Sequence, residues 1–445
     1  MRTPWYPTID ELELQARALV AAHPETLGLR TVGESRAGSP LWLLSAGRGE
    51  RHVLTVSGAH ANEPVGGASA LRLAGELARA PELLELLDCT WHMLLCLDPD
   101  GARLAQGWAP GEADPSLEGY HRHFYRPAFV CQPESLPAQG DGRDPLPESS
   151  ALVRLLDELR PTVQFSLHGI EFGGAFLQLT RPVPGAAHDF RETAGRLGVP
   201  LEHRPYDSVD WDEDGPGVLV LPGARTRGER DASGFVSEMT WTYPLRHGTV
   251  TAIVETPSWG LTSVSDGRPA ADPGKELARA RELLLRRTGQ LTDALGAGDT
   301  AVPEGLIPIR TAAQELIDVA PSIVGTWDSY AEDPYAQGGL RTVEGHFASL
   351  ALAARRIPLR AAAMMRRALE VTEPATADAL TGLVRAWCRE LEETYDPRWV
   401  PVAAQTELHV RTMLDLAGKL LVDDGDQAPV TACGPRTGSS RTPRP

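Results

Sequence analysis

Hydrophobic and polar positions change their period several times along the chain, and each change marks an element. Over residues 9–22 (IDELELQARALVAA) the apolar positions recur at helical spacing, and Thr8 with Glu11 is placed to form a capping box at the helix start. LGLRTVGES (27–35) and PLWLLS (40–45) follow as a pair of strands joined by the turn at Ala37, Gly38 and Ser39. A short apolar strand at 53–56 runs into His60-Ala61-Asn62-Glu63 and Pro64. One or two helices are predicted over 68–87, then a nearly all-apolar strand over 90–97 (TWHMLLCL). A strand without polar alternation is buried on both faces, as in a parallel or mixed sheet covered by helices. The expected fold class is therefore α/β: a mixed, mostly parallel sheet flanked by helices.

Asp98-Pro99-Asp100-Gly101 reads as a turn, and residues 102–147 as a long irregular segment holding HRHFYRP at 121–127. A loop of that length inside a compact domain is usually functional or disordered, and its aromatic and basic content favours function. A helix starts near Pro147. PTVQFSL (161–167) and TVTAIV (249–254) are further strands, ending at His168 and Glu255, and 272–295 is a long helix closed by Gly296. Beyond it the texture becomes helical, with 3.6-residue periodicity over 311–323, 342–369, 375–395 and 402–421. Three regions are expected: a catalytic domain over 1–298, a helical accessory domain over 304–424, and a disordered tail over 425–445.

A formal charge of −17 excludes the basic stripes that nucleic-acid binding needs. No stretch has the length and apolarity of a membrane span, and MRTPWYPTIDELELQ lacks the apolar run and small-residue site of a signal peptide. The five cysteines are odd in number and in no metal-ligand spacing, so free thiols are expected, and with them a cytoplasmic location.

The chemistry collects where strands end. His60 and Glu63, three residues apart after a strand, are placed to turn toward one point, and His168 follows a strand end in the same way. Two imidazoles and a carboxylate suit a catalytic zinc that keeps one position for water. Glu255, after another buried strand, is the candidate carboxylate for moving that water's proton. Arg122 and Arg126 are the nearest cations for an oxyanion or a substrate carboxylate. The reaction class these residues support is metal-assisted hydrolysis of an amide.

In its order of pieces the stretch from Thr8 to Leu295 resembles the zinc metallocarboxypeptidase family, the carboxypeptidase A/B type and its shorter bacterial relatives. The pieces are TVGESRAGSPLWLLSAG, HANE, the DPDG turn, LPES before a helix, the strand ending in His168 and the strand ending in Glu255. The resemblance implies one Zn2+ per chain on His60, Glu63 and His168, with Glu255 as general base and acid. It also implies Arg122 as the residue gripping a substrate carboxylate, and Arg126 as the cation at the oxyanion. Both asparagines of the family's NRNF-like motif are histidines here, His121 and His123. The aspartate expected just before that motif is out of place, so the group orienting His60 is unassigned, and TRGERDASG stands where the family's substrate-side tyrosine would lie. The expected activity is removal of a C-terminal amino acid from a small peptide or peptide-like metabolite. Two alternatives stay open: an N-acyl amino acid deacylase and a non-catalytic binding module. The helical region is expected either to pack or to form a homo-oligomer, or to roof the cleft against large substrates.

Overall fold

The computed structural model describes residues 5–107, 115–137, 142–206, 208, 211–221, 239–296, 301–332 and 343–423. It opens with α1 (Ile9–Ala22), whose capping box forms as the sequence predicts, Thr8 and Glu11 each accepting from the other's backbone N–H. Then come β1 (Leu27–Glu34), β2 (Pro40–Ala46), β3 (Arg51–Ser57), α2 (Val65–Arg79), α3 (Pro81–Leu86) and β4 (Cys89–Leu94). The segment expected to be irregular holds α4 (Pro99–Ala105) and α5 (Leu117–His123) before α6 (Pro147–Leu159) and β5 (Val163–Gly173). After these follow β6 (Phe176–Leu179), α7 (Ala186–Leu197), β7 (Asp212–Gly215), β8 (Val218–Val220) and β9 (Val250–Gly260). The chain closes with α8 (Pro273–Leu295), α9 (Ile307–Glu332), α10 (Glu344–Leu369), α11 (Pro374–Tyr395), β10 (Arg398–Trp399) and α12 (Val402–Asp423).

The strands form one mixed sheet in the order β1-β2-β4-β3-β5-β9-β6-β8-β7, with β10 added along β9. Its centre, β4-β3-β5-β9, is parallel, which explains why these strands read as unbroken apolar runs. On one face α1, α2, α7 and α12 close a large core with Trp91, Phe165 and Val254. On the other, α6 packs Leu152, Leu155 and Leu156 against Leu43, Leu54 and Val56. Each fully buried side chain of this size contributes about 1.5–3 kcal/mol relative to an exposed one.

Two strands run further than expected. β5 continues five residues past His168, and β9 five past Glu255, because their registers stay paired as far as Gly173 and Gly260. The DPDG sequence is a helix start, with Asp98 capping α4 through the backbone N–H of Gly101. The helical texture from 304 onward does not form a core of its own. α8, α9, α10 and α11 pack together, but α12 returns to the sheet, where Leu408, Met413, Leu416 and Ala417 join the same core as Trp91. The expected tail at 425–445 lies outside the described residues, as do TRGERDASG at 226–234 and Cys433. Among the described residues Cys89, Cys96, Cys131 and Cys388 are free thiols, and no helix is long and apolar enough to cross a membrane.

Candidate metal and active site

The site is built on the carboxyl side of the central strands. Gly58 leaves β3 with φ +62°, and a side chain there would collide with Sγ of Cys96, so only glycine lets the loop fold back so closely. The loop then presents His60 and Glu63 before α2 begins. His168 comes from β5, beside β3, and Glu255 from β9, where the two residues face each other in register.

His60 Nδ1 lies 2.9 Å from Glu63 Oε1 and 3.0 Å from His168 Nδ1, which is itself 3.0 Å from Glu63 Oε2. All three residues are buried. The second Glu63 oxygen also accepts from the backbone N–H of Gly169 at 3.2 Å, which fixes the carboxylate across the two strands.

The other nitrogens of both rings meet one carboxylate that sequence reasoning did not single out. Glu134 places Oε2 3.0 Å from His60 Nε2 and Oε1 3.2 Å from His168 Nε2. A carboxylate there favours a proton on each Nε2 and so leaves each Nδ1 lone pair pointing inward. Three acceptors then converge with no donor between them, an arrangement that calls for a cation. Ligands of a tetrahedral zinc stand about 3.3 Å apart, given zinc–nitrogen bonds of about 2.0–2.1 Å. The observed spacings are a few tenths of an ångström shorter, so the donor set fits the ion in both type and size.

Protonation tells the same story. Burial alone would raise the Glu63 carboxyl, yet His60 and His168 hold it well below the usual carboxylate range. Burial alone would lower His168, yet Glu134 and Glu63 hold it well above its ordinary value. Positive charge is demanded at this point, whether supplied by protons or by a metal that displaces them.

Arg126 reaches the same cluster, with Nη1 3.4 Å from Glu63 Oε1 and Nη2 2.7 Å from His60 Nε2. A guanidinium only donates, so this second contact competes with Glu134 for the ring nitrogen and is a close approach whenever Nε2 carries its proton. Gln132 steadies the arginine by accepting from Nε at 3.5 Å.

A cavity of about 610 Å³ opens from the cluster and is lined by His60, Glu63, His168, Glu255, Arg126 and Glu134. Its far walls come from the aromatic group around Trp211 and Trp241 and from α9 and α10, which supply Leu316, Ile323, Arg356 and Arg360.

The zinc carboxypeptidase family model matches residues 13–167. This stretch is similar to zinc carboxypeptidases. It contains His60, Glu63, Arg126 and Glu134 and stops one residue short of His168. Among solved structures, the metallo-carboxypeptidase from Burkholderia cenocepacia aligns at 14% identity over 55% of this chain and 60% of its own, with a TM-score of 0.37. Carboxypeptidase A from Helicoverpa armigera aligns at 15% identity over 57% and 65%, also at 0.37. The chain thus spans less than two thirds of either relative's length. No curated protein matches it.

The other predicted residues fall into two groups. LPES and DPDG hold the scaffold: buried Glu148 accepts from the backbone N–H of Arg36 at 2.9 Å, and Asp100 from Ala37 N at 2.9 Å and Ser39 Oγ at 2.9 Å. Arg122 is a correction. It lies in the last turn of α5 and turns outward, its side chain 60% exposed and 3.6 Å from Glu118, so it does not reach the cavity. The reason is helical phase: HRH occupies a helix, not a loop, and the inward position goes to His121. That ring donates from Nδ1 to the Leu117 carbonyl oxygen of its own helix at 2.8 Å, and burial lowers it to about 4. Tyr243 is likewise outside the site, bonded to Asp157.

Glu134 carried no signal of spacing or periodicity; it is a single acidic residue in a proline-rich segment. Arg356 and Arg360 did carry one, two arginines four apart on a helix rich in alanine and leucine.

Proposed function

We propose that the protein is a zinc-dependent amide hydrolase that removes a C-terminal residue from a small peptide or peptide-like substrate. The observation that carries this reading is the convergence of His60 Nδ1, Glu63 and His168 Nδ1, with Glu255 opposite His168 on the adjacent strand. His60, Glu63 and His168 would hold the ion, which when bound supplies Lewis acidity toward water and the amide carbonyl. Glu255 takes the proton of the attacking water and passes it to the departing amine. Arg126 donates toward the oxygen on which negative charge develops. Glu134 keeps both imidazoles in the tautomer that points Nδ1 inward.

An N-acyl amino acid deacylase would use the same set, and the outward turn of Arg122 keeps it in view because the expected carboxylate grip is missing. Persistent cleavage of substrates with an amidated C-terminus would favour a mode other than carboxypeptidase action.

The test is metal content by mass spectrometry on the wild type and His168→Ala, followed by a peptide-library screen with Glu255→Gln as control. About one zinc per chain, lost in His168→Ala, with cleavage that Glu255→Gln abolishes, is the expected result. A wild type that neither carries nor takes up zinc would refute the reading in favour of a binding role.

A further inference from the structure

α10 contributes to the cavity a buried cation that forms no ion pair with any described residue. Arg356 is 4% exposed and lines the same space as His60, Glu63, His168 and Glu255. Its Nε is buried with no hydrogen-bond partner, and its guanidinium carbon lies 5.0 Å from the centre of the Tyr206 ring. One anion that Arg356 attracts, Glu171, is already held at both oxygens by Arg360, through Nε at 2.6 Å and Nη2 at 2.5 Å. Among the described residues, no carboxylate lies within ion-pair distance of Arg356. Of the cavity's other carboxylates, Glu63 and Glu134 are engaged with the two histidines and Glu315 with the backbone N–H of Phe129, and none of these, nor Glu255, forms an ion pair with Arg356. A buried guanidinium is costly without an anion, so its position points to one that arrives with the ligand.

What else that ligand carries follows from the rest of the cavity lining. Trp211, Trp241, Met239, Ile253 and Phe176 line the cavity with apolar surface, while Arg356 offers a planar fork suited to a carboxylate. We propose that Arg356 is the anion-binding residue of this cavity. It takes the carboxylate of a small substrate whose aromatic or branched apolar side chain rests against Trp211 and Trp241. The grip that Arg122 was expected to provide thus comes from α10, outside the stretch that matches the family. The identity of the bond cleaved rests on the hydrolase reading above; the anion site itself does not.

The probes are 3-phenylpropanoate and its uncharged amide, titrated calorimetrically into the full-length protein as purified, beside Arg356→Gln and Arg356→Lys. Wild type binds the acid at least about tenfold more tightly than the amide, as expected for one charge-assisted pair. Arg356→Gln abolishes that preference, and Arg356→Lys keeps part of it, with zinc content unchanged in both. With peptide substrates Arg356→Gln raises KM for the free acid by a larger factor than it lowers kcat. An acid preference that survives in Arg356→Gln, or a wild type that binds neither probe, overturns the proposal. If Arg356→Gln does not fold, the wild type's preference and its partial loss in Arg356→Lys decide the matter. A protein that cleaves peptides but shows no role for Arg356 sinks this inference alone. One that cleaves nothing yet binds the acid through Arg356 sinks the hydrolase reading alone.

Discussion

Three residues beyond His168, Glu171 forms with Arg360 a buried, two-pronged ion pair that ties β5 to α10. Burial by itself would raise the Glu171 carboxyl, but Arg360 first and Arg356 second lower it from 4.5 to about 2. Because the folded value lies below the unfolded one, the pair's contribution is fully present above about pH 4.5. It is lost as pH falls toward about 2. That difference corresponds to about 3 kcal/mol at neutral pH. Removing the cation by Arg360→Met leaves a buried carboxylate, for which a loss of about 3–5 kcal/mol is typical. The two routes agree, and Arg356, which also attracts Glu171, favours the lower end. Urea unfolding at pH 7 is the assay, read as a shift of midpoint at constant slope. Against a total stability of about 5–15 kcal/mol, such a shift is large. The double variant Glu171→Leu/Arg360→Met should recover most of the loss, because neither member of the pair is then left without its partner. A single-variant cost under about 1 kcal/mol, or a double variant as unstable as the single one, would refute the reasoning.

Two further outcomes follow from the site and its supports. Glu134→Gln should weaken zinc affinity by about 10–100-fold, since an amide can accept from one imidazole but turns its NH2 toward the other; competition with a chelator measures it, and an unchanged affinity would remove Glu134 from its orienting role. Asp98 behaves in the opposite sense to Glu171: burial raises it from 3.8 to about 6, partly offset by the Gly101 N–H and Arg36. Its folded value lies above the unfolded one, so its contribution holds below about pH 3.8 and is lost as pH rises through about 6. Asp98→Asn, neutral at every pH, should therefore match the wild type near pH 4 and exceed it by up to about 3 kcal/mol at pH 8. Thermal melts at the two pH values decide this, and equal stability at pH 8 would count against it.

The sequence by itself determined the local elements and the ligands that lie on them. Helix α1 was legible down to its capping box, because Thr8 and Glu11 satisfy each other's backbone within one turn. The parallel centre of the sheet was legible because strands buried on both faces have no polar alternation. His60, Glu63, His168 and Glu255 could be named because each follows a buried strand core, and a sheet brings the same ends of parallel strands together.

Tertiary structure alone decided which distant side chains complete the site. Periodicity records that a position is buried and not what buries it, so α12 read as part of a separate helical unit although its apolar face belongs to the sheet. The phase of α5 turned Arg122 to solvent. Glu134 met two histidines 74 and 34 residues away in sequence, and Arg356 came to the cavity from nearly 190 residues beyond His168. Such contacts depend on the packing of whole helices and loops, and no local pattern of residues encodes them.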